Sequence, residues 1–132
     1  MFYKYKCRVF NVEIPLNCIR EGLLIWHLNK IIINDHCKIG KGVSISAGVT
    51  VGHRKGIMPQ IGNFVVLTID AKVLGAKIAD HVVIGAGAVQ IKNVVQEYSA
   101  WAGVPARMVS NNYPESHFKR EEKLKHIMGS DL

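Results

Sequence analysis

Two histidines stand where the chain breaks its own rhythm: His27, in WHLNK, and His53, at the head of HRKGIMPQ. An imidazole can take and return a proton near neutral pH, so either residue can act as a general base on a hydroxyl, itself a poor nucleophile. The three cysteines, Cys7, Cys18 and Cys37, do not make a paired framework and point to a reducing setting. A net charge of +7 and a pI near 9.5 suggest an anionic partner. The charge is spread along the chain, densest in SHFKREEKLKH, with no zinc-finger, helix-turn-helix or RNA-recognition signature. A phosphorylated cofactor therefore fits better than nucleic acid.

The rhythm that these histidines interrupt has a period of six. Ile33, Ile39, Ile45 and Val51 follow one another at that interval, Ile19 and Ile25 keep it upstream, and it resumes at Ile61, Leu67 and Val73, then at Ile78 and Ile84. Six is neither the helical period nor strand alternation. It is the signature of hexapeptide β-helix repeats, in which each unit is a short strand plus a turn and three units close one triangular coil. The aliphatic residue of each unit then points to the axis and stacks on its equivalents in neighbouring coils. Small residues such as Gly48, Ala71, Gly85 and Ala88 suit tight corners, and helix is not expected across residues 14 to 109. Insertions in such a solenoid map to loops, where function concentrates. One insertion surrounds His27, a second spans residues 53 to 60, and LGAK, between Val73 and Ile78, is one residue short.

The expected organisation is an N-terminal segment, 1–13, a β-helix domain, 14–110, and a C-terminal helix and tail, 111–132. Phe118, Leu124, Ile127 and Met128 fall at helical spacing, with Pro114 before them and Gly129 after, as for a short helix covering the last coil. No run reaches the roughly 18 apolar residues that span a bilayer, and the N-terminus lacks a secretory apolar run. A cytoplasmic protein is expected. Its only membrane contact would be peripheral, through Tyr3, Lys4, Tyr5, Lys6 and Arg8.

The strings INDHCKIGKGVSISAGVTVG, IGNFVVLTIDAKVLG, IADHVVIGAGAVQIKNV and AGVPARMV, which cover about residues 13 to 109, resemble the left-handed β-helix acyltransferases. The chain is most similar to their serine acetyltransferase-like branch, which includes sugar O-acetyltransferases of surface polysaccharide synthesis. The resemblance implies an all-β, single-stranded left-handed parallel β-helix, against the usual right-handed crossover, a homotrimer with active sites between subunits, and acetyl-CoA as co-substrate without a metal. In that branch the catalytic histidine lies in GLxIxH before an aliphatic run. Gly22, Leu23, Ile25, His27 and Ile31 to Ile33 match, which makes His27 the general base. The resemblance assigns Glu13 the orienting of that histidine, although the segment between them is one residue short. His53 is the alternative base, since galactoside-type relatives carry theirs in the corresponding loop. Gly48, Ile69, Ala86, Lys92 and Arg107 match acetyl-CoA positions, and a backbone N–H between Gly48 and Gly52 would meet the oxyanion.

Departures bear on the acceptor. Relatives read IGAGAKVLG where this chain reads LTIDAKVLG, which places Thr68, Ile69 and Asp70 beside the pantetheine path. Serine acetyltransferases hold the amino acid's charges with an aspartate just before the catalytic histidine and an Arg-His pair in the later loop. Trp26, Ile57 and Met58 stand there instead, and a zwitterion against apolar surface is costly. Trp26 offers a face for a sugar ring, so a carbohydrate hydroxyl is the expected acceptor, with L-serine the alternative. A non-catalytic trimeric β-helix binding module is the other alternative. The γ-class carbonic anhydrase arrangement on this fold needs an HxxxxH pair and a third ligand, and His27, His36, His53 and His81 provide no such pair.

Overall fold

The computed structural model describes residues 11–114. Within them the chain winds as a triangular coil of very short strands. β1 (Leu24–Ile25), β2 (Ile32–Ile33) and β3 (Lys38–Ile39) form one turn, followed by β4 (Ser44–Ile45), β5 (Thr50–Gly52) and β6 (Gln60–Ile61). β7 (Val66–Leu67), β8 (Lys72–Leu74) and β9 (Lys77–Ile78) make the next, and β10 (Val82–Ile84) and β11 (Val89–Gln90) begin another. β12 (Ser99–Ala102) and β13 (Arg107–Ser110) end the series.

Strands of successive coils pair in parallel, which gives the solenoid three faces. β1, β4, β7, β10 and β12 build the first face, β2, β5, β8 and β11 the second, and β3, β6 and β9 the third. The register explains the six-residue rhythm. Ile25, Ile45, Leu67, Ile84 and Trp101 lie side by side on the first face. Ile33, Val51, Val73 and Gln90 do so on the second. Ile19, Ile39, Ile61, Ile78 and Val94 do so on the third. From Ile33 to Ile84 these rhythm residues are at most 4% exposed. Each buried aliphatic side chain contributes about 1.5–3 kcal/mol, so the repeat is also the principal source of stability.

A second buried series lies two residues ahead of the first: Ile31, Cys37, Val43 and Val49, then Val65 and Ala71, then Ala76, Val82 and Ala88. These residues round the corners from inside. Ala71 and Ala88 are thus fully buried rather than set against a neighbour or ligand. No helix occurs among the described residues. The parallel coil stands, and one departure from it is the antiparallel pairing of β13 on β12, with a bulge between Ala100 and Trp101. That strand covers the outer edge of the first face, where an open ladder would invite another chain. The expected C-terminal helix lies, beyond Pro114, outside the described residues, as do Tyr3 to Arg8.

Candidate active site

The edge between the first and second faces is a column of turns. Hydrogen bonds run from Gly48 N–H to Asn29 O at 3.0 Å, from Asp70 N–H to Ala47 O at 2.9 Å and from Gly87 N–H to Ile69 O at 2.9 Å. The corner residues Lys30, Gly48, Asp70 and Gly87 all have positive φ, between 51° and 75°. The left-handed corner is costly for an L side chain, so two glycines fit it and Lys30 and Asp70 bear it.

This edge gathers most of the candidate residues. Trp26, His27, Leu28, Asn29 and Lys30 form its first turn, all exposed, with Trp26 at 64%. Trp26 N–H is tied to Ile45 O at 2.9 Å, and Asn29 N–H closes back on His27 O at 3.0 Å. The two-residue insertion therefore leaves the ladder straight after β1 and returns at Ile31, while the His27 side chain stays in solvent. Gly48, Ile69 and Ala86 follow one coil at a time along the same edge, Ile69 being 49% exposed. Arg107 is exposed at its far end, paired with Ala102.

Three candidates lie elsewhere. His53 and Lys92 are exposed on the edge between the second and third faces, after β5 and β11 respectively. Glu13 is exposed on the second face, one rung before Ile32, and exchanges backbone hydrogen bonds of 2.8 Å with Ile31 and Ile33. Among the described residues no side-chain hydrogen bond or ion pair joins Glu13 to His27. The loop that His53 opens is a small hairpin. Arg54 and Ile57 exchange backbone bonds of 3.1 and 3.0 Å around Lys55 and Gly56, both at positive φ. That turn chemistry is the one two-residue hairpins require. The hairpin packs on Gly75, where a Cβ would stand 2.8 Å from that of Arg54.

One expectation changes at this edge. The Gly48 and Thr50 N–H groups are spent on Asn29 O and Ala71 O, so neither is a ready oxyanion donor. Beside it the Thr68 hydroxyl is drawn back to Ile84 O, donating at 2.7 Å. Asp70 remains, with its carboxylate lying over Gly48 where a Cβ would collide with Oδ1. Its neighbour Lys72 donates from Nζ to the Asp70 carbonyl at 3.0 Å.

Two features escaped the sequence. Gln90 occupies the rhythm position after Ile84, fully buried; its Nε2 donates to Lys92 O at 2.8 Å and its Oε1 has no partner among the described residues. Cys18 and Cys37 meet at 3.5 Å between their sulfurs. Coil register brings these together, and spacing alone carries no signal for it. Among the described residues, no three His, Cys, Asp or Glu side chains come close enough to hold a metal.

No protein-family model matches the chain. It is 32% identical over 127 residues to a serine acetyltransferase of Buchnera aphidicola, an alignment covering 89% of this chain and 46% of that protein. It is 37% identical over 99 residues to the enzyme of Staphylococcus aureus, covering 71% and 46%. Among solved structures, a serine acetyltransferase in complex with CoA superposes with a TM-score of 0.69 at 31% identity, covering 78% of this chain and 44% of that one. The chain carries the left-handed β-helix of the hexapeptide-repeat acetyltransferases. The Neisseria gonorrhoeae serine acetyltransferase superposes at 0.72 with 27% identity, covering 86% and 46%. The chain spans less than half the length of the relatives it matches. Among its described residues no helix is long and apolar enough to cross a membrane.

Proposed function

We propose that the chain transfers an acetyl group from acetyl-CoA to a hydroxyl, with L-serine as acceptor, and that it works as a homotrimer. The observation that carries this reading is the single edge holding His27, Gly48, Ile69, Ala86 and Arg107 in a chain whose relatives are serine acetyltransferases. The sugar preference drawn from Trp26, Ile57 and Met58 gives way to those relatives. In the proposed reaction the His27 imidazole takes the hydroxyl proton as the oxygen attacks the thioester carbonyl. The carbon–sulfur bond then breaks, and the imidazolium returns the proton to the departing CoA thiolate. Acetyl-CoA would lie along the small-residue edge, with Arg107, and Lys92 of a second protomer, offering charge to its phosphates. Because His27 and His53 sit on different edges of one protomer, a complete site would form where two protomers meet. There Glu13 would orient His27, and His53 would line the acceptor side.

A sugar hydroxyl is the second reading, favoured by the exposed Trp26 and by Ile57 at 60% exposure. The discriminating experiment is a panel of acceptors at fixed acetyl-CoA, with kcat/KM for L-serine set against sugars and nucleotide sugars. Serine preferred by an order of magnitude or more supports the first reading. A sugar preferred by the same margin replaces it with the second.

A further inference from the structure

The two sulfurs of Cys18 and Cys37 lie 3.5 Å apart, each within hydrogen-bonding reach of the other. Both are free thiols. They come from successive coils, where Ile19 pairs with Ile39 and Ile39 N–H donates to Cys18 O at 2.9 Å. In that register they are diagonal neighbours. A strand separation of about 4.8 Å and a rise of about 3.3 Å place their Cα atoms about 6 Å apart, inside the window a disulfide needs.

The two are not equivalent. Cys37 is 2% exposed, whereas Cys18 is half-buried and lines an open groove of about 500 Å³ on the third face. Arg20, Lys38 and Lys77 line the same groove, with Asp80 the acid among its lining residues. Asp80 is engaged, since its Oδ1 accepts from Asn63 N–H at 2.7 Å. A small carboxylate-bearing disulfide entering the groove would meet cations first and Cys18 next.

We propose that Cys18 and Cys37 form a thiol–disulfide site that exchanges with a low-molecular-weight anionic disulfide and reversibly staples the first coil to the second. The Cys18 thiolate attacks one sulfur of the small disulfide, whose S–S bond breaks and releases one thiol. Cys37 gives up its proton and attacks Cys18 Sγ, releasing the second thiol. The balance is two protein thiols and one small disulfide converted to one protein disulfide and two small thiols. Burial, then the Cys18 hydrogen bond and charge, push the Cys37 thiol up to about 12. The contributions from Cys18 disappear once Cys18 is in a mixed disulfide, while burial, the largest cause, remains. The staple ties the chain between Val12 and Ile25, the end of the described solenoid, into the turn beside His27.

The test uses the full chain with Cys7→Ser, so that these two thiols are the only ones. The protein is equilibrated in buffers of graded glutathione to glutathione disulfide ratio, and thiols and linked peptides are quantified by mass. The expected result is that both thiols disappear together into a Cys18–Cys37 peptide, while Cys7→Ser/Cys37→Ser stops with glutathione on Cys18. Amide exchange in residues 12–25 should slow on the order of 10- to 100-fold in the oxidised form. A glutathione adduct that persists on Cys18 with Cys37 present would overturn the exchange step. So would two thiols that remain free in the most oxidising buffer. Unchanged amide exchange after oxidation would overturn the staple. If Cys7→Ser fails to fold, peptide mapping of the wild-type chain gives the same readouts.

Discussion

His27 owes its exposure to a local accident of packing: the residue after Trp26 leaves the ladder, and two extra residues carry it clear of the wall. His53 is equally exposed but begins a hairpin on another edge. The two therefore differ in kinetic signature. His53→Ala should raise KM for the acceptor while kcat stays within about tenfold of wild type, the pattern of lost binding rather than lost proton transfer. Steady-state kinetics in both substrates reads this directly. Cys37 offers a prediction in pH. Its thiol is raised from a usual value of 9.0 to about 12, chiefly by burial. A raised value favours the protonated form in the folded state, so this contribution is complete below pH 9 and fades as pH climbs towards 12. Under reducing conditions the urea midpoint should fall across that window, and Cys37→Ala should flatten the fall.

At the scale of elements, the His27 edge depends on corners that tolerate positive φ. Gly48→Ala places a methyl group both in that conformation and against the Asp70 carboxylate. It should cost about 1–3 kcal/mol in denaturant unfolding. Adding Asp70→Gly should recover part of the loss, because the two residues share one contact. The repeat that builds these corners was legible in the sequence, since every rhythm position from Ile33 to Ile84 is aliphatic and inward. The second buried series was not, because Cys37, Ala71 and Ala76 within it carry too little apolar signal beside their polar neighbours. Gln90 hid the next rhythm position by being polar where an aliphatic residue was expected. The reversal into β13 was hidden too: GVPARMV reads as one more turn of the coil, and only the register of Arg107 on Ala102 reveals a hairpin. Of the candidate residues, His27 and those at the small-residue corners fell on one edge. Lys92 and His53 fell on another, since a linear motif does not say which of three edges a turn occupies.

Across the whole molecule, stability is a sum of coils each resting on its neighbours. Ile45 sits inside the first-face stack, between Ile25 and Leu67, and is fully buried. Ile45→Ala should cost about 2–5 kcal/mol, measured as a lowered urea midpoint. The proposed assembly makes a further demand, because in it the edges bearing His27 and His53 would meet between protomers. Sedimentation equilibrium should return three times the 14.7 kDa chain mass. The central claim is that His27 performs base catalysis on a hydroxyl acceptor, and its most direct test is CoA release from acetyl-CoA with L-serine, wild type against His27→Ala. The account predicts steady release by wild type and a loss of about 10²–10⁴-fold in kcat in the variant, with CoA affinity unchanged. A His27→Ala protein that turns over as fast as wild type would contradict it.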